Sequence, residues 1–554
     1  MSERHPHLAA VAWVGVPFVL YLVALRHFWF NAPIWDDYDA VLLSVLKLGD
    51  AQSPLEWLRV LVSQHNEHRI AFPRLVAWLC DKIAGGIDFR LLTLAANFAW
   101  LGILALLWAE LRHVLRPAAF AAAALLLLNL TYYEASLLPM SGLSNLWVVL
   151  FAFASLFHAL RDGATNAALG LAFGAAAVVT QASGLIVLPL AAAFCLLRGL
   201  RTRGALYGVV ALVLGSVYFI GYVRPAQHPA LLFALSHPWD ALQVFLLIAG
   251  GVFPNVNDSI SVAIVLLVAI AWALRRGLWR SSPVACAWIA FILASAALIT
   301  VGRAGFGIFH ASRYAIYGST LMALAVLSIA TVTAPWKRPA NAALVIACAG
   351  MFLWVSSASL QSARDFTFRA RLLTKAQPQA PGIDTDPYFG VLYPAAPHAY
   401  RILDAAERRG VWRAREEPVY PTAIRRESAI PDSLLEAGRV DRIDRSGRQV
   451  KVWGWSHLPA TIPGRVFAIG ADDEPVASRM RIPSRPDVAV ATGVPALALA
   501  GFDLNLEYGS EEAAERAVTS LCVLAEAPGH GVRVLGGAPG CPKVAPSGQE
   551  ASGG

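Results

Sequence analysis

Charge is what this sequence has least of. Only 15% of its 554 residues are Asp, Glu, Lys or Arg, against about 25% in a soluble globular chain. Hydrophobic residues reach 57%. This composition excludes a disordered or fibrous chain and argues against an ordinary soluble enzyme. Cysteine is sparse too: six residues, no pair of them at metal-ligand spacing. Zinc-finger spacing, a basic helix and an aromatic-basic strand motif are all missing, which excludes a nucleic-acid partner. A retained anchor is expected in place of a cleavable leader. The first apolar run, Leu8–Leu25, exceeds the 7–15 residues of a leader's core, and Asn31-Ala32-Pro33-Ile34-Trp35 is a poor cleavage site. The run reads as a membrane helix and retained anchor.

What is present is a series of apolar runs. Besides the first, spans are expected near 91–110, 118–133, 137–158, 165–179, 183–197, 205–223, 260–274, 283–301, 314–333 and 341–359. The expected fold is therefore a polytopic α-helical membrane protein of about 11 transmembrane helices over residues 1–359, with 31–87 as the first extracytoplasmic loop. These 359 residues hold 22 Lys and Arg against 14 Asp and Glu, a surplus of eight, whereas 360–554 hold 23 of each. The surplus obeys the positive-inside rule if the N-terminus is inside. Inside loops then carry Arg112 and Arg116; Arg161; Arg198, Arg201 and Arg203; Arg275, Arg276 and Arg280; Lys337 and Arg338. The apolar run 239–253 is read as an interfacial or re-entrant helix, because counting it as a span would turn the Arg275–Arg280 cluster outward.

The odd number of spans leaves the rest of the chain outside. Residues 360–437, rich in proline, read as linker and short helices. Alternating runs such as Val450-Lys451-Val452-Trp453-Gly454-Trp455 predict a β-sandwich over 438–544, followed by a disordered tail at 545–554. Cys522 and Cys541, the only cysteines of that domain, are expected to form a disulfide in an oxidising compartment. Trp453 and Trp455 share a strand face, read first as the sandwich core and second as a platform for stacking sugars. The acids Asp472, Asp473 and Glu474 fall in a turn, so the domain is expected to be accessory.

Five polar constellations all fall on the outside face. Trp35-Asp36-Asp37-Tyr38-Asp39 sets three carboxylates beside an aromatic belt at headgroup level. Gln64-His65-Asn66-Glu67-His68-Arg69-Ile70-Ala71-Phe72-Pro73-Arg74 offers two His, a Glu and two Arg that suit a phosphate or a metal, without the spacing of a zinc protease. Gly302-Arg303-Ala304-Gly305-Phe306-Gly307 leads to His310 and on to Ser312-Arg313-Tyr314, and arginine reads phosphate with a planar fork. Tyr132-Tyr133-Glu134 with Met140–Asn145, and Thr180-Gln181-Ala182-Ser183-Gly184, complete the set. Taken singly, each is an ordinary solvated turn or helix end. Independent turns do not account for a shared face.

In order and sidedness these residues resemble the GT-C superfamily of membrane glycosyltransferases, in a bacterial branch, over roughly residues 8–359. Asp36-Asp37 stands where that superfamily carries its acidic pair after the first span. His68-Arg69-Ile70-Ala71-Phe72-Pro73-Arg74 occupies the place of a His-Pro-rich motif without matching it. The resemblance implies a polyprenyl-phosphate sugar donor, a glycan or lipid acceptor, and a multi-pass protein of the bacterial inner membrane whose active site faces the periplasm. It implies Asp36 as catalytic base, with Asp37 positioning it or binding a divalent cation, Mg or Mn. Substrate-binding residues would be His65, Glu67, His68, Arg69, Glu134, Arg303, Arg313 and Tyr314. Direct displacement assisted by one base inverts the anomeric carbon. The C-terminal motifs Gly438-Arg439-Val440-Asp441, Gly454-Trp455, Arg485-Pro486-Asp487-Val488 and Gly501-Phe502 resemble a β-sandwich module of bacterial surface-polysaccharide glycosyltransferases. Two alternatives stand beside this reading. A lipid-linked oligosaccharide ligase or polymerase would favour a large central outside loop. A non-enzymatic transporter would show repeats and mid-span charge.

Overall fold

A computed structural model describes residues 6–413, apart from 116, 226–228, 231, 254, 309–310, 334–337, 376–392 and 394–395. It also describes 436–541, apart from 457–464, 470–476, 482–484, 486, 489–490, 492–500 and 528–530. His310, most of the linker, the acidic turn Asp472–Glu474 and the tail 545–554 lie outside the described residues. The chain divides into two units. The first holds residues 1–31, 36–364 and 402–413, and the second holds 32–35, 365–401 and 414–554.

The first unit is helical, and the chain is a multi-pass membrane protein. Among the described residues six helices are long and apolar enough to cross a membrane: Phe89–Leu111, Pro139–Ala159, Arg201–Phe219, Val256–Arg275, Pro283–Phe306 and Ser312–Val332. Shorter apolar helices include Val14–Phe28, Ala164–Val178, Ala182–Leu197, Pro238–Ala249 and Val345–Leu360. Local sequence sets several starts. Pro139 and Pro283 take first-turn positions, where no amide hydrogen is needed, and Ser282 caps Ala285 N.

One expected span departs from its bounds. The helix expected at 118–133 runs only over Pro117–Leu127, about 16 Å at 1.5 Å per residue. Asn129 stops it, by donating to Leu126 O (2.8 Å) and accepting from Thr131 N (2.9 Å). The chain then re-forms a short helix at Tyr133–Leu137. At the C-terminal side a helix over Arg338–Lys375 runs straight through the expected boundary at 359. Residues 402–413 return to the first unit, where Val411 O accepts from Ile87 N (2.6 Å) and Arg409 pairs with Asp50.

The helices have two distinct ends. At one end, Glu110 accepts from Ser282 Oγ (2.8 Å) and pairs with Arg161 (3.3 Å). Arg203 donates there to the carbonyls of Ala159 (3.1 Å), Gly163 (3.3 Å) and Arg161. This gathers the Arg-bearing loops expected inside. The opposite ends of the same helices carry Met140, Tyr218 and Arg303, and these meet at the site described below.

Among its described residues the second unit contains one hydrogen-bonded sheet of seven strands. Numbering follows a two-residue pair in the first unit, β1 (Gln64–His65) and β2 (His68–Arg69). The sheet strands are β3 (Glu436–Ser446), β4 (Gln449–Ser456), β5 (Arg465–Ile469), β6 (Ala477–Arg481), β7 (Gly501–Glu507), β8 (Cys522–Ala527) and β9 (Gly531–Gly536), in the order β5-β8-β9-β3-β4-β7-β6. Only β3 and β9 are parallel. Edge strand β5 also approaches β7, so the sheet curls over its own core. The β3–β4 turn is Gly447-Arg448, with Gly447 at φ 58°, the left-handed conformation a two-residue hairpin demands.

The expected β-domain is therefore present, as a single curled sheet. One expectation is overturned: the core face of β4 is Val450, Val452, Gly454 and Ser456, and Trp453 and Trp455 lie on the other face, half-buried. Gly454 is the reason. A Cβ there would strike the Arg439 carbonyl and come within 2.7 Å of the Phe502 ring. The core accepts bare backbone between the indoles and sends the indoles outward. Cys522 and Cys541 are disulfide-bonded, as expected.

Candidate functional site

The site starts at a distortion. Trp35 has φ 51°, unusual for a bulky side chain. The chain then enters a wide π-helical turn, Asp37–Leu43, instead of the solvated loop that an acidic run suggests. Such turns recur at functional sites. The two acids separate here. Asp37 is fully buried and its Oδ1 accepts from Met140 N (3.0 Å), capping the first turn of the Pro139–Ala159 helix. Asp36 makes no cap and its side chain stays 59% exposed.

The second constellation folds into the β1–β2 hairpin. Its turn is Asn66-Glu67, with Asn66 at φ 48°, so His65 and His68 sit opposite each other. His65 Nε2 lies 3.2 Å from Asp36 Oδ1, and Asn66 Nδ2 donates to the same oxygen at 3.4 Å. Crowding by protein raises the Asp36 carboxyl. The His65 hydrogen bond, with the charges of His65, Arg313 and His68, outweighs that effect and holds the group below the usual carboxylate value. Asp36 is thus ionised and accessible at neutral pH.

His68 is held differently. Ala182 N donates to its Nδ1 (3.3 Å), and Nε2 faces Glu67 Oε1 at 3.5 Å. Burial is the main reason its pKa falls below the ordinary histidine value, and the nearby Glu67 charge only partly compensates. Glu67 in turn pairs with Arg303, from the far end of the Pro283–Phe306 helix.

Arg313 follows the same logic at the start of the next helix. It donates to Glu134 Oε2 (2.9 Å) and lies over the Tyr314 ring at 5.0 Å. Ser312 Oγ accepts from Glu134 N (3.1 Å), fixing the carboxylate's backbone. Gly142 permits this assembly: a Cβ there would meet the Ala135 carbonyl and lie 2.8 Å from Ala96 Cβ. Beneath it, Gln181 bridges Asn145 Oδ1 (2.9 Å), Ser183 Oγ (2.9 Å) and Tyr317 (3.3 Å).

All five constellations therefore meet at one end of the helices. Asp36, His65, Glu67, His68, Glu134, Arg303, Arg313 and Tyr314 are in or beside the cluster. Two expected residues are committed elsewhere. Asp37 serves the helix end, and among the described residues no three His, Cys, Asp or Glu side chains converge to hold a metal ion. A cation site at Asp37 does not fit this geometry. Arg69 donates to the carbonyls of Tyr218 (2.7 Å), Val62 (2.8 Å) and Ile220, so it fastens the hairpin to the end of the Arg201–Phe219 helix and does not fit a phosphate contact. Arg74, the second arginine of that segment, is likewise committed to the scaffold: its guanidinium is buried and bonded to Ser44 Oγ (3.0 Å) and to the carbonyls of Val60 and Leu61 (both 3.1 Å). Sequence reading passed over the individual role of Asn66, whose signal was an asparagine between two short β-prone pairs.

No family model matches this sequence, and no curated protein does. Among solved structures, ArnT from Cupriavidus metallidurans in the apo state has a TM-score of 0.43 at 13% identity, over 74% of this chain and 90% of that one. The same protein bound to undecaprenyl phosphate has a TM-score of 0.40 at 14% identity, over 89% and 97%. Likenesses this loose do not decide what this chain does.

Proposed function

We propose that this chain is a GT-C-type glycosyltransferase of the bacterial inner membrane. It moves a sugar from a polyprenyl-phosphate donor to an extracytoplasmic glycan or lipid acceptor. The observation that carries the reading is the accessible, ionised Asp36 set among Arg303 and Arg313 at one end of a membrane-spanning bundle. Asp36 accepts the proton of the acceptor hydroxyl as its oxygen attacks the anomeric carbon. The bond from that carbon to the phosphate oxygen breaks from the opposite side, which inverts the centre. The lipid phosphate leaves with its charge met by guanidinium groups. Arg313 spends one bond on Glu134 and keeps donors of its fork for the phosphate. His65 and Asn66 orient Asp36. No step calls for a divalent cation.

The positive-inside argument assigns this end to the periplasm. The test is transfer by the purified full chain in proteoliposomes, offered a panel of radiolabelled polyprenyl-phosphate hexoses and pentoses with envelope glycan as acceptor. Label should move from at least one donor and fail to move with Asp36→Asn. Transfer that persists in this variant, or no transfer from any lipid-phosphate sugar, overturns the reading.

A further inference from the structure

The end of the helices away from Asp36 carries arginines that the fold does not use. Arg203 and Arg161 are spent there on holding helix ends together. Arg198 and Arg201 flank the turn between the Val187–Leu197 and Arg201–Phe219 helices, and both are exposed. Arg275, Arg276 and Arg280 flank the turn after the Val256–Arg275 helix, and are exposed too. Among the described residues no carboxylate pairs with any of these five. Arg276 lies over the Trp272 ring at 5.6 Å.

The two turns lie side by side. The Phe194 and Trp279 rings, with centroids 5.4 Å apart, join the end of one helix to the segment that carries Arg280. Polar contacts fix the same arrangement: Arg203 donates to the Arg161 carbonyl, Arg161 pairs with Glu110, and Glu110 accepts from Ser282. Each turn pivots on a left-handed glycine, Gly199 at φ 77° and Gly277 at φ 100°, and a Cβ at either would meet nothing within 4 Å. The backbone between the arginines is thus uncovered. Helix-end electrostatics do not account for the whole group. A cation complements the last turn of a helix, which suits Arg198 and Arg275, but Arg201 opens a helix, where positive charge is unfavourable. Glu110 and Asp162 are the acids described at this end, and Glu110 is already paired. The charge therefore calls for an anion from outside the chain. Leu196 and Leu197, and Trp272 and Leu274, immediately precede the arginines in each helix and are exposed. An anion that brings its own acyl chains covers this strip, and a soluble one does not.

We propose that this ledge binds the phosphate headgroup of an anionic phospholipid of the cytoplasmic leaflet, the side that the positive-inside argument gives it. Arg198 and Arg201 from one turn, with Arg276 and Arg280 from the other, donate to the phosphate oxygens. The acyl chains run along Leu196, Leu197 and Leu274. The inference concerns binding alone and does not depend on transferase activity.

Native mass spectrometry of the purified full chain tests it, with the chain released from micelles that hold phosphatidylglycerol or phosphatidylcholine with the same acyl chains. The wild type should retain phosphatidylglycerol more tightly by roughly tenfold or more. Arg198→Gln and Arg276→Gln should each weaken that retention by roughly fivefold, and the two together by roughly 25-fold. Arg59→Gln, which removes an exposed arginine at the opposite end, should leave it unchanged. Glycerol 3-phosphate, a headgroup without chains, should not displace the lipid at equal concentration. Thermal unfolding reports whether each variant is folded, and the single variants keep the test open if the double one is not. The proposal fails if the two lipids are retained equally, or if the folded double variant retains phosphatidylglycerol as the wild type does. It fails equally if Arg59→Gln matches the double variant, or if glycerol 3-phosphate displaces the lipid, which would make the ledge a site for soluble anions.

Discussion

At one end of the helices Arg203 answers backbone carbonyls where the Pro139–Ala159 helix finishes; at the other, Arg303 and Arg313 answer carboxylates. The difference concerns which partners can be exchanged. A helix-end carbonyl has a fixed place and needs a donor permanently. A carboxylate–guanidinium pair at a partly open site can admit a phosphate as a further acceptor. Arg69 is the instructive exception. It sits at the carboxylate end yet binds carbonyls, and so belongs with Arg203 as scaffold.

The sharpest way to break this comparison is at Asp36. Asp36→Asn should lower kcat by about 10²–10⁴-fold with unchanged thermal unfolding. Asp37→Asn, one residue on, should instead cost about 0.5–2 kcal/mol of stability, as loss of a helix cap does. Equal kinetic losses without a stability change at Asp37 would return it to the chemistry.

The two kinds of arginine come next. Arg313→Lys keeps the charge and loses the fork, and should raise the Kd for a polyprenyl-phosphate sugar by roughly tenfold, about 1.4 kcal/mol. Arg203→Ala should leave that Kd unchanged and lower the stability by about 1–3 kcal/mol, the cost of orphaned carbonyls. A shift in donor affinity in Arg203→Ala would erase the distinction between the ends.

The smallest effect is on pH. His68 is half-buried and neutral, with a folded pKa below the unfolded value of about 6.5. The unfolded chain therefore binds the proton first, and stability falls as pH drops below about 6.5 toward the folded value. Tm measured at pH 7.5 and 5.5 should show a decline that His68→Gln reduces. Asp36, whose folded pKa is lowered, contributes stability above about 3.9 that disappears only as pH falls through its folded value, outside this window.

Much of this was legible in the sequence because membranes simplify the reading. Apolar runs located the long helices to within a few residues, and several of the arginine loops gather at one end of them. The same reasoning placed five polar segments on one face. It did not say which would touch. Glu67 and Arg303 are 236 residues apart, and nothing local announces their pairing. Nor did it separate Asp36 from Asp37: adjacent acids look alike until the wide turn sends one inward to Met140 N. In the sheet, alternation gave several of the strands but not the hairpin at Gly447. It could not tell which face was core, since two tryptophans outweigh a glycine in any hydrophobic count. Backbone proximity at Gly454 reversed that count.

The bridge between Cys522 and Cys541 turns the domain into a recorder of where it has been. The cytosolic thiol pool keeps such a pair reduced, and an exported domain keeps it oxidised. Its redox state in freshly quenched cells therefore reports the sidedness of the whole chain, with no reporter fused to it. A chain trapped with its C-terminus in the cytosol would carry two free thiols there and label accordingly. The loop closed by this bridge contains β9, which buries Val534 and Leu535 in the sheet. In a domain that has reached an oxidising compartment the bridge adds a covalent restraint to the packing of that strand, and in one kept in the cytosol that restraint is absent.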